Sequence, residues 1–228
     1  MSAVQVMTQL VAAPGAQREL RKLCLEVISS RMAASAEIQR FIVNLAQANP
    51  LPELYPGESL EGDDFDVVLQ SWVPSLAAWE KSFRPFEVEL SEVCAKRFDF
   101  RISERTIRHE SALLRPGRPT PGYKLMRGLV FHADLGAAAA RRQWLHHADL
   151  AVRVHLGVAR YTQHWVEESL SAGAPAIGGF SDLHFPSLDA MRDRYFDSPR
   201  GRQEIIHDTG HFIASGSKRF YGEEHVFK

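Results

Sequence analysis

The chain has 228 residues, 45% of them hydrophobic and 24% charged, with a formal net charge of −1. These values fit a globular protein with a full core, in one large domain or two small ones, and exclude a disordered chain. A near-neutral balance without a long basic block speaks against a nucleic-acid groove or an anionic-membrane surface, and no run reaches the roughly 20 apolar residues of a spanning helix.

The opening MSAVQVMTQLVAAPG lacks a basic segment followed by a long apolar run. It predicts a strand from Val4 to Val11 rather than a signal peptide, ended by Pro14-Gly15. From Ala16 to Met32 the positions Leu20, Leu23, Cys24, Val27 and Ile28 fall on one helical stripe. Cys24 and Cys94 form no CxxC and read as reduced thiols of a cytoplasmic protein. Ile38 to Leu45 is a second strand, NPLPELYPGESLEGDD (49–64) a loop, and Phe65 to Val73 a third strand. Pro74-Ser75 opens a helix carrying Leu76, Trp79 and Phe83; residues 86–97 read as helical and 98–109 as extended. The order is β-α-β-β-α-β.

LLRPGRPTPGY (113–123) reads as a linker between a first half, 1–112, and a second, 124–228. The same order then restarts. Lys124 to Ala133 is a strand, Ala137 to Val154 a helix, and Val158 to Val166 a strand. Ile177 to Phe185 is a strand, and Ser187 to Phe196 a helix with Ser187 as N-cap. A broken helical segment spans 199–208, before a final extended stretch, 212–226. LQSWVPSLAAW (69–79) lies over SDLHFPSLDAM (181–191), matching Pro74-Ser75-Leu76 with Pro186-Ser187-Leu188 at an offset of 112. The expected fold is α+β: two tandem ferredoxin-like βαββαβ repeats whose antiparallel sheets pack as an α/β barrel.

All ten histidines lie after residue 108, so any histidine chemistry belongs mainly to the second half and the first is the structural half. On the helix 137–154, Trp144, His147, Ala148, Ala151 and Val152 share the inward stripe, while His146 is turned away. His147 is there either a satisfied core residue or a site residue, and Asp149 either orients a histidine or meets solvent. His155, before Gly157, suits the negative end of the helix dipole. On the next strand Tyr161, Gln163 and Trp165 share one face, and Arg160, Thr162 and His164 the other. Gly179 and Ser181 leave room either for a ligand or for tight packing. His207 and His211 have the spacing of a metal pair on a helix, but Thr209 and Gly210 argue against a regular helix, so no metal site is assigned. No GxSxG, P-loop or GxGxxG occurs.

Residues 124–228 resemble the EthD family of dimeric α/β-barrel proteins. The likeness rests on Trp144, His147-Ala148, Leu150, Gly157 and Arg160-Tyr161-Thr162-Gln163. It continues through Phe185-Pro186-Ser187-Leu188, Ser198-Pro199, Asp208 and Phe212-Ile213. Asp149 stands where that family commonly has Pro. The resemblance implies a small apolar pocket, a His or Tyr acid/base and no cofactor, as in muconolactone isomerases, polyketide cyclases and cofactor-free monooxygenases. The expectation is a cofactor-independent lyase or isomerase moving a proton on a small aromatic, lactone or polyketide-like substrate, in a monomer or homodimer. His147 would be the general acid or base and Tyr161 the oxyanion donor, with Trp144 and Trp165 as apolar walls and Gln163 and Arg127 holding a carbonyl or carboxylate. Three alternatives stay open. One is a haem or metal enzyme with a ligand among His147, His184, His207 and His211; another is a non-catalytic small-molecule binder or assembly protein; the third is a purely structural histidine set, with the pocket filled by side chains.

Overall fold

The computed structural model describes residues 3–52, 65–109 and 116–228, and of 215–218 the backbone only. Most of the expected loop at 49–64, the last residues of the first half and the opening of the linker (113–115) lie outside the described residues. Eight strands form one closed antiparallel barrel. The first half supplies β1 (Val4–Ala12), β2 (Arg40–Ala46), β3 (Val67–Val73) and β4 (Cys94–His109). The second supplies β5 (Tyr123–Phe131), β6 (Arg160–Ser169), β7 (Gly179–Phe185) and β8 (Ile213–Val226). Within each half the spatial order is the same, β4-β1-β3-β2 and β8-β5-β7-β6, the split βαβ arrangement. The halves join edge to edge, β2 on β8 and β4 on β6, so closure needs no second chain and leaves no exposed edge.

Helices cover the outer face. Helix α1 runs through Gln17–Lys22, a π-helical stretch at Leu23–Ile28, and Ser29–Ala34. Helix α2 (Leu76–Phe83) and α3 (Glu87–Val93) complete the first half; α4 (Ala137–Val154), α5 (Leu188–Arg194) and α6 (Pro199–Thr209) belong to the second. Two expectations are corrected. The helical reading of 86–97 stops at Val93, because the chain from Cys94 is taken into the ladder opposite Ala12. The broken segment at 199–208 is a regular helix, because Ser198 caps it on the Gly201 N–H at 2.9 Å and Pro199 fits its first turn. The described part of the linker, 116–123, is no free tether: Gly117 and Thr120 donate backbone hydrogen bonds to Val226 and Glu224 of β8.

The repeat extends to single atoms. Ser75 and Ser187, 112 residues apart, are both extended N-caps, accepting from Ala78 N and Ala190 N at 3.1 Å each. Gln70 and Asp182, related by the same offset, meet inside the barrel at 3.4 Å. Because helices cover one face and the lumen the other, β3 is buried along its whole length, its polar Gln70 and Ser71 included. The space between helices and sheet in the first half is filled by Leu20, Ile28, Trp79, Phe83, Phe86 and Leu90.

The lumen combines an apolar cluster around Met7, Phe100, Met126, Phe180 and Phe220 with a buried ionic one. Lys124 Nζ sits 3.0 Å from Asp182 and 2.8 Å from Glu224, and Arg160 reaches Glu224 at 2.6 Å. Burial alone would raise the Glu224 pKa, but Lys124 and Arg160 outweigh it and hold it at about 2. His184 is pulled down to about 4, first by burial and then by Arg160. Both folded-state values lie below the unfolded ones, so between each pair of values the unfolded chain binds more protons. Stability is therefore expected to be fully present near pH 7 and to fall as the pH drops from about 6.5 toward 4 for His184, and from about 4.5 toward 2 for Glu224. Urea unfolding at stepped pH measures this; a flat profile between pH 7 and 4 would contradict it.

Candidate active site

Helix α4 lies across the outer face of the second half. Its spacing turns Trp144, His147, Ala151 and His155 toward the sheet, where they line a cavity of about 140 Å³. The floor comes from the outward side chains of the strands: Leu125 and Arg127 of β5, Tyr161 of β6, Ser181 and Leu183 of β7, and Arg219 of β8. Ile205 and Thr209 of α6 and the following Phe212 close one side, and Tyr195 and Phe196 another. Among these described lining residues there are two guanidinium groups and no carboxylate.

His147 is buried, and its Nδ1 donates to Asp208 Oδ2 at 2.7 Å. Asp208 belongs to α6, packed on α4, so the pair joins two helices. The opposite nitrogen, Nε2, is the one left to meet a ligand. Burial lowers the His147 pKa, and Asp208 works in the other direction through its hydrogen bond and charge. The imidazole is therefore neutral at pH 7, a base with its tautomer fixed by a carboxylate. Asp149 takes no part in this and faces solvent, as does His146.

Tyr161 is fully packed, and burial raises its pKa to about 12 despite hydrogen bonds from Gln163 and Trp144. Its phenolic oxygen accepts from Trp144 Nε1 at 3.2 Å and Gln163 Nε2 at 3.1 Å. With both acceptor positions taken, its own O–H is directed to donate. Gln163 also donates to the Trp144 carbonyl at 2.7 Å.

The structure therefore brings His147, Tyr161, Trp144 and Arg127 to one cavity and leaves Trp165 and Gln163 off its wall. Trp165 packs behind Trp144, ring centroids 4.2 Å apart, with the Arg141 guanidinium over its face. Gln163 stands behind Tyr161 and holds it. Neither lines the cavity; both stand behind residues that do, because strand alternation fixes a face but not a place along it. Gly179 makes room not for a ligand but for Trp144, since a Cβ there would overlap the indole and approach the His164 carbonyl at 2.8 Å. Gly179→Ala is expected to displace Trp144 and cost about 1–3 kcal/mol, read from urea unfolding and a shifted tryptophan emission; unchanged stability would contradict this.

His155 has a different role from the one expected. Its Nδ1 donates to the Tyr195 carbonyl at 2.6 Å, and burial pulls its pKa down to about 4, so it brings no charge to the helix dipole. Arg108 of β4 takes that place, donating to the carbonyls of Val152, His155 and Val158 at 2.6–2.9 Å. Sequence reasoning also missed Arg219, which pairs with Arg127 across the β5–β8 ladder, and the role of Asp208.

No family model and no curated protein sequence matches the chain. Solved structures do match it over nearly its full length. An anthrone oxidase-like protein superposes with a TM-score of 0.62 at 12% identity, covering 99% of this chain and 92% of that one. A proposed monooxygenase of Fusobacterium nucleatum gives 0.63 at 5% identity, covering 100% and 93%. A chlorite dismutase variant from Candidatus Nitrospira defluvii gives 0.58 at 11% identity, covering 98% and 92%. The fold is a dimeric α/β barrel, closed here within one chain. At these identities the likeness concerns fold alone, and the narrower EthD likeness rests on the residues quoted above.

The haem alternative meets one favourable and one unfavourable feature. An imidazole held by a carboxylate on its far nitrogen is a good axial donor. The cavity is not a good berth. At about 140 Å³ it matches a space that holds benzene, and it falls below the roughly 300 Å³ where pockets for drug-sized ligands begin. A porphyrin is larger than this space among Trp144, Tyr195 and Phe212. The residues do not fit the group, and no step is drawn through it. Among the described residues, no helix is long and apolar enough to cross a membrane.

Proposed function

We propose that the chain is a cofactor-independent lyase or isomerase of EthD-like type, moving a proton on a single-ring aromatic or lactone substrate that carries a carboxylate or an enolisable carbonyl. The observation that carries this is the His147–Asp208 pair at 2.7 Å, with the imidazole lining a benzene-sized cavity. His147 Nε2 takes the proton, and the Tyr161 O–H donates to the oxyanion that develops. Arg127 and Arg219 favour an anionic substituent. A multi-ring polyketide is larger than a space of about 140 Å³, so single rings are the favoured class. The anthrone oxidase-like and proposed monooxygenase neighbours support chemistry on a small organic molecule. The apolar filling of the corresponding space in residues 1–112 supports a structural half, and the two free thiols support a cytoplasmic setting. A homodimer on this reading joins two closed barrels through their outer surfaces.

The test needs no known substrate. The protein is incubated in D₂O with a panel of single-ring carboxylic acids and lactones, and proton loss next to each carbonyl is followed by ¹H NMR. Exchange with at least one member, absent in His147→Gln, is expected. Binding of panel members without exchange or turnover would overturn the enzymatic reading and favour a small-molecule carrier.

A further inference from the structure

We propose that His207 and His211 form a surface site for a borderline transition-metal ion such as Zn²⁺ or Cu²⁺, clamping the end of α6 beside the cavity. The helix that was expected to be broken continues through Thr209, and Gly210 follows in helical conformation. The four-residue spacing therefore places both imidazoles on one side. Their Nε2 atoms are 3.4 Å apart, with the ring planes at 81°. Two nitrogens at tetrahedral positions around zinc, each about 2.0–2.1 Å from it, are separated by about 3.3–3.4 Å. The pair thus already has the bite that one ion requires, without a change of backbone. Both side chains are exposed, so ligand entry and release are unobstructed.

Among the described residues no group of three His, Cys, Asp or Glu could hold a metal. Water therefore completes the coordination sphere, and affinity is that of a two-ligand site. Imidazole donors select Cu²⁺, Ni²⁺ and Zn²⁺ and reject Mg²⁺ and Ca²⁺, which require oxygen ligands. The consequence comes from the four positions next to the pair. Asp208 orients His147, Thr209 and Phe212 line the cavity, and Gly210 accepts from His132 Nε2 at 3.0 Å. An ion bridging 207 and 211 would tie both ends of this segment and restrain the carboxylate on which His147 depends.

Equilibrium dialysis of the tag-free protein against Zn²⁺ at neutral pH tests the site independently of any reaction. One equivalent is expected to bind, with at least a tenfold loss of affinity in His207→Gln and in His211→Gln and none in His147→Gln. Zn²⁺ is also expected to slow amide exchange at 207–212, and Mg²⁺ to do neither. Absence of saturable Zn²⁺ binding, or binding that survives both surface substitutions, would overturn the site. Loss of binding in His147→Gln alone would move the metal into the cavity and overturn it equally.

Discussion

Replacing His147 with glutamine is expected to lower turnover by about 10²–10⁴-fold while leaving the fold intact. Glutamine fills much of the imidazole volume and keeps a hydrogen-bonding end for Asp208, so α4 and α6 stay joined. What it lacks is a lone pair that can take up a proton near pH 7. The expected signature is a fall in kcat with KM nearly unchanged, because the group acts on the reacting proton and not on the resting substrate. Asp208→Asn is the milder companion. Asp208 raises the His147 pKa against the effect of burial, so removing its charge lets that pKa drop further. The acid limb of the rate profile should then move to lower pH. Full turnover in His147→Gln would end the proton-transfer mechanism.

Lys124→Met is expected to destabilise the protein by about 3–5 kcal/mol, the usual result of removing one partner from a buried ion pair. Lys124 is 2% exposed and is the cation between Asp182 and Glu224. Without it, two carboxylates remain in the lumen with Arg160 on only one of them. The melting temperature should fall by roughly 6–20 °C for a chain of this size. The loss should be partly relieved at low pH, where the stranded carboxylates accept protons. Thermal unfolding at pH 7 and pH 5 measures both. A Lys124→Met protein as stable as wild type would mean that the barrel closes by apolar packing alone.

Much of this fold could be read before any coordinates. The 3.6-residue period placed α4 at its observed bounds, Ala137–Val154, and put His147 on the inward stripe. The 112-residue offset signalled the duplication through the Pro-Ser-Leu cap sequence. What escaped depends on contacts between distant segments. Lys124, Asp182 and Glu224 each look like ordinary surface charges in a strand, and only closure of the barrel gathers them. Arg108 caps α4 from the other half of the chain, which no local pattern shows. Thr209 and Gly210 suggested a helix break, yet Thr209 Oγ1 donates back to the Ile205 carbonyl at 2.8 Å and the turn continues. That misreading hid Asp208 as the partner of His147 and the approach of His207 to His211. Trp165 and Gln163 share the correct face but lie beyond or behind the cavity, a distinction of depth that alternation cannot make.

The most direct test of the site is a long-range ¹H–¹⁵N NMR spectrum of the histidine side chains near pH 7, recorded with and without a single-ring carboxylate from the exchange panel. A general base oriented by Asp208 predicts a neutral His147 carrying its proton on Nδ1, with a bare Nε2 whose resonance moves when the acid binds. A proton found on Nε2, or an Nε2 resonance unmoved at saturating ligand, would contradict the proposed catalytic role of His147.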